Sequence, residues 1–78
     1  MKPHKIVWEF TDYVGSYEIT ANVVENSYED YELTIFIDEE ETKCLTMGSL
    51  AQCKQYTYWF VAWAREFIDI FKNLFCIR

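Results

Sequence analysis

The chain has 78 residues, thirteen acids against seven bases, a formal net charge of −6 and fifteen aromatic side chains. That length supports one domain, residues 1–78. Two Gly, one Pro and a half-apolar composition exclude disorder and low complexity. The charge works against direct binding of nucleic acid or anionic lipid, and the longest uncharged stretches of the C-terminal half, residues 44–53 and 55–64, are far short of the ~20 residues of a membrane span.

Met1, Lys2, Pro3, His4 and Lys5 lead straight into an alternating segment, with no apolar run of the secretory kind. Period-two alternation marks three strands. In the first, Ile6, Trp8 and Phe10 face one way and Val7, Glu9 and Thr11 the other. Residues 12–16, with Gly15 inside, form a turn, because glycine takes the positive φ that tight turns need. The second strand sets Tyr17, Ile19, Ala21 and Val23 against Glu18, Thr20, Asn22 and Val24. Glu25, Asn26 and Ser27 make the next turn. The third sets Tyr31, Leu33, Ile35 and Ile37 inward and Glu32, Thr34, Phe36 and Asp38 outward, and Glu39, Glu40 and Glu41 end it. Short connections imply an antiparallel meander with the second strand central. Residues 43–47 leave room for a short fourth strand.

From Leu50 onward there is no Gly or Pro. Ser49 and Gln52 have the spacing of a capping box, in which Gln52 reaches back to Ser49. One long helix of about 25 residues, about 38 Å, is expected, with a kink or fraying after Asn73. Its apolar arc spans roughly 200°, about twice what one sheet covers. One flank fits the sheet. The other, rich in Trp59, Trp63 and Ile70, is expected to meet a second copy or a target, since exposed it would form a large apolar patch. The fold class is α+β: a three-stranded meander packed on one long C-terminal helix.

Little here supports catalysis. His4, the one histidine, stands beside Lys5 in a terminal segment with no partner to hold it as a base. Gly15 and Gly48 stand alone, so no phosphate-binding loop exists. Cys44, Cys53 and Cys76 are odd in number and match no zinc spacing; they are expected to be reduced thiols in a cytoplasmic protein, Cys53 in the core and Cys76 the more reactive. Residues 38–41 lack the Asp/Asn alternation and central Gly of a calcium loop. No cofactor or metal is expected, and Lys54, Arg65 and Lys72 are too thin a line to hold nucleic acid.

What stands out is the charge split. Eleven acids and no Lys or Arg lie between Ile6 and Thr42, whereas the rest of the chain carries seven bases and two acids. Outward placement of Glu9, Glu18, Glu32 and Asp38, with Glu25, Asp30, Glu39 and Glu40 near the turns, makes a polyanionic face. Its carboxylates are expected two residues apart or directly opposite, roughly 5–7 Å from one another. Such a face suits a basic partner protein. In size, charge and want of motifs, the chain resembles the small acidic inhibitors that phages make against host defence, anti-CRISPR and DNA-mimic anti-restriction proteins among them; no residue carries over from that resemblance. It implies a non-enzymatic protein that blocks a basic, nucleic-acid-binding surface in the host cytoplasm. The alternative is a homodimeric structural or assembly module using the apolar helix face.

Overall fold

The computed structural model describes residues 5–26 and 28–75. Its class is α+β. Strands β1 (Ile6–Val14), β2 (Tyr17–Glu25), β3 (Tyr31–Ile37) and β4 (Glu40–Met47) form one antiparallel sheet in chain order, and helices α1 (Leu50–Glu66) and α2 (Ile68–Phe75) cover one face. No helix among the described residues is long and apolar enough to cross a membrane. His4, Ser27, Cys76 and the last two residues lie outside the described set.

Inward alternation holds in β2 and β3. Ile19, Ala21, Val23, Leu33, Ile35 and Ile37 are buried, and Cys53, Thr57, Phe60, Val61 and Ala64 of α1 pack on them. The Thr57 hydroxyl, the only buried polar side chain of the described core, donates to the Cys53 carbonyl at 2.8 Å, which removes the cost of burying it.

Three boundaries differ from those expected. The first turn is only two residues, Gly15 and Ser16, because β1 continues through Asp12 to Val14. Gly15 takes φ of +60° in the first loop position, where a II′ hairpin puts glycine, and a Cβ there would stand 3.2 Å from Ile68 Cδ1. The fourth strand is full length and starts at Glu40, so the sheet has four strands and Glu40 and Glu41 open β4 instead of ending β3. The loop between them is Asp38 and Glu39, both at positive φ (51° and 71°), the backbone of a I′ hairpin made without glycine.

The single long helix is two helices, broken at Phe67 and not near Asn73. Phe67 leaves helical geometry (φ −116°, ψ 51°) while its N–H still bonds the Trp63 carbonyl at 2.8 Å. In a straight helix Phe60 and Phe75 would be about 22 Å apart; their ring centroids are 5.5 Å apart, so α2 folds back. The cause is length. Strands of seven to nine residues run about 23–30 Å, and the seventeen residues of α1 already span about 26 Å. A straight continuation would overhang the sheet. Turning back buries Phe71 completely and sets it edge-on to Tyr17 at 6.0 Å. Burial of such a side chain contributes about 1.5–3 kcal/mol, against about 0.5–1.5 kcal/mol for each helical hydrogen bond lost.

The N-cap is as read, with one shift. Ser49 Oγ accepts from the Gln52 N–H at 3.2 Å, while Gln52 Oε1 accepts from Gly48 N–H at 3.1 Å, one residue before the expected Ser49.

Candidate protein-binding face

The sheet face turned away from the helices is built from the outward positions of four strands. Register lays them in rows: Tyr13 beside Glu18; Thr11, Thr20, Phe36 and Glu41; Glu9, Asn22, Thr34 and Cys44; Val24, Glu32 and Thr46. Within the paired strand positions no carboxylate faces another, and none lies two residues from another on the same strand face; the one facing pair is Glu18 with Asp38, one rung beyond the end of β3. The expected ladder of carboxylates is therefore reduced to that one rung. Hydroxyl, amide and aromatic partners interleave with the acids, which relieves the like-charge repulsion that directly opposed carboxylates suffer.

The acids gather instead at the two ends of the sheet. At one end are Glu18, Glu41 and the hairpin residues Asp38 and Glu39. At the other are Glu32 and the loop residues Glu29 and Asp30. Among the outward positions of β1, Glu9 is the one acid. The two groups lie about six residues apart along a strand, about 20 Å, a separation on the scale of a nucleic-acid duplex's width. Between them runs a neutral band of Thr11, Thr20, Asn22 and Thr34, where the two hydroxyls of Thr11 and Thr20 meet at 3.5 Å. Thr20, Asn22, Phe36 and Glu39 line a shallow depression of about 240 Å³ in it. Asn22 Oδ1 is buried without a hydrogen-bond partner among the described residues.

Glu25 and Glu40, expected near the turns, do stand at strand ends beside them, but not on the outer face. They pair with the inward-facing Tyr31 and Ile37 and so turn to the helix side at the strand ends, because each sits one residue out of step with the outward series. Asp38, expected on the outward face of the third strand, lies instead in the hairpin loop. Its carboxylate accepts the Glu18 N–H at 2.9 Å and its own N–H donates to the Glu18 carbonyl at 2.9 Å, extending the β2–β3 ladder by one rung. Sequence reasoning left Glu41 out of the set, since its outward placement follows only once β4 begins at Glu40.

Several acids have local partners. Tyr13 Oη donates to Glu18 at 3.3 Å and Asn26 Nδ2 to Glu32 at 3.2 Å. The hydrogen bond from Tyr31 to Glu25, and that carboxylate's charge, hold the Tyr31 hydroxyl above its ordinary pKa. The one ion pair among the described residues is Arg65 with Asp12, 2.7 Å apart, on the β1 edge. Three other described cations also lie off the outer face: Lys43 pairs with inward Ile35, Lys54 lies 5.8 Å over the Trp8 ring and Lys72 is on α2. No three His, Cys, Asp or Glu side chains among the described residues converge on a metal position. Burial pushes the Cys53 thiol up; Cys44 is exposed.

On the helix side, the residues expected to self-associate are divided. Trp59, 56% exposed, stacks with Trp63 at 6.2 Å. Ile70, also exposed, lies beyond the break, and the groove beside the tryptophans is lined by Leu74 and Phe75 in its place. The reversal at Phe67 makes that exchange. Compared with known proteins, the chain matches no family model, no curated protein and no solved structure.

Proposed function

We propose that this is a non-enzymatic binding protein whose acid-rimmed outer face occupies a basic, nucleic-acid-binding surface of a larger protein and blocks it, in the manner of a phage inhibitor of host defence acting in the host cytoplasm. One observation carries this: the outward strand positions bear carboxylates at both ends of the sheet and no Lys or Arg, while Lys43, Lys54, Arg65 and Lys72 lie off that face. Charge separated in space, and not merely along the chain, is what an oppositely charged cleft recognises. Two acidic banks flanking a neutral band suit a groove with basic walls on either side better than they suit a row of evenly spaced phosphate sites.

The experiment is capture of the partner from host lysate at low salt, followed by titration of the purified pair over a range of ionic strengths. Affinity should fall steeply with salt. The double variant Glu18→Lys with Glu32→Lys should weaken it about tenfold or more, about 1.4 kcal/mol for each factor of ten. Glu66→Lys, on the helix side, should leave it unchanged. An affinity indifferent to salt and to both face substitutions rejects this function.

A further inference from the structure

The two edges of the sheet are finished differently. On β1, both backbone groups of Tyr13 face out of the sheet and both are taken: the N–H by the Asp12 carboxylate at 2.8 Å, the C=O by Arg65 Nε and Nη2 at 3.1 and 2.9 Å. Further down that edge Tyr58 stands edge-on to Trp8 and Phe10, at 6.0 and 5.4 Å. Hydrogen-bond alternation can be followed across the sheet from Tyr13. Because Tyr13 faces out, Glu18 faces β3, as its bonds to Asp38 show. Asn22 then faces β3, Thr34 faces β2, and Cys44 and Thr46 present their N–H and C=O outward from β4. Among the described residues nothing is seen to take them. A register slip and two acids guard only the start of β4; from Lys43 to Met47 the pairing is regular. An open, regular edge of this kind is a template for another strand.

Beside it lies the exposed helix flank. Trp59, Tyr56, Met47 and Thr46 border a wide groove of about 640 Å³, and Lys43 with Trp63 and Leu74 a narrower one of about 130 Å³. Open edge and aromatic flank are one continuous surface. Residues 42–64 of this protein of net charge −6 carry two lysines and no acid. That surface does not attract a basic partner. It is where two copies of an acidic chain approach with least repulsion.

We propose that β4 pairs antiparallel with β4 of a second copy, about a two-fold axis perpendicular to the sheet, and that the Trp59 and Trp63 flanks of the two copies pack on each other. Such an axis keeps inner face with inner face, so only registers that match the pleat are allowed. Centring on Lys43 would oppose two ammonium groups. Centring on Cys44 sets Lys43 opposite Leu45 of the second copy and Thr42 opposite its Thr46, with no like charges facing. Glu40 and Glu41 of the two copies then lie at opposite ends of the seam. The result is one eight-stranded sheet with both acid-rimmed faces on the same side.

Sedimentation equilibrium on the full chain, kept reduced, tests this at micromolar concentration. A dimer is expected. Thr46→Pro removes one outward-facing donor, and Trp59→Lys places charge on the flank; each should raise the dimer dissociation constant about tenfold or more. Thr11→Pro, the matching change on β1's outward-facing positions, should leave it unchanged. Far-UV circular dichroism checks that each variant folds, and Trp59→Lys, at an exposed site, serves if Thr46→Pro does not. A monomer at every soluble concentration overturns the proposal, as does a dimer that neither the edge nor the flank change weakens. The outer-face acids are untouched by these variants, so partner capture by a monomeric variant separates this inference from the function proposed above.

Discussion

The Asp12 carboxylate serves two neighbours at once, the Tyr13 N–H and the Arg65 guanidinium, and Arg65 in turn holds the Tyr13 carbonyl. The Tyr13 amide first, and Arg65 after it, hold the Asp12 carboxyl below the ordinary range, against a partial desolvation that pushes the other way. A carboxyl whose pKa is lower folded than unfolded contributes stability that is complete above the unfolded value, about 3.9, and is lost as the pH falls from there through the folded value. Chemical denaturation of the wild type and Asp12→Asn across this range should show a stability difference at neutral pH that shrinks below about pH 4. A difference constant with pH would mean that the contact does not titrate with folding. None of this clamp was legible in the sequence, where Asp12 reads as a turn former and Arg65 as a solvated helix residue. Acids are disfavoured in strands, and only the fold brings Arg65 to this one. The outward acids Glu9, Glu18 and Glu32 were legible, because a period of two places them whatever their partners. Their mutual spacing was not, because register across strands decides it.

At the level of elements, β2 and β3 declare themselves by clean alternation, and α1 by its cap and its periodicity. The start of β4 does not. Glu40 and Glu41 are poor strand formers, and the loop before them lacks the Asn-Gly or Asp-Gly that announces a tight hairpin. Glu39 stands at φ of 71°, where an L-residue other than Gly or Asn is strained by about 1–2 kcal/mol. Glu39→Gly should therefore stabilise the protein by about 0.5–1 kcal/mol, part of the relief being offset by the freer unfolded chain. For a domain of this size that is a rise of a few degrees in Tm, read by thermal circular dichroism. A fall in Tm would show that the Glu39 side chain makes a compensating contact. The break at Phe67 was equally hidden. No Gly or Pro marks it, and its cause, a helix longer than the sheet beneath it, exists only once both elements are assembled.

For the molecule as a whole, composition indicated one acidic half and a surplus of apolar surface, and the structure turns these into two different sides: an acid-rimmed sheet and an aromatic helix flank. The order of the strands has a further consequence. Each strand pairs only with its neighbours in the chain, β1 with β2, β2 with β3, β3 with β4, through two tight turns and one short loop. Closing such loops one after another needs little chain entropy, and proteins dominated by nearby pairings fold quickly. Refolding from denaturant in a stopped-flow mixer, followed by the fluorescence of Trp8, Trp59 and Trp63, should be complete within milliseconds to tens of milliseconds for the monomer. A major phase lasting seconds would mean that docking of α2, and not zippering of the hairpins, governs how fast this chain becomes native.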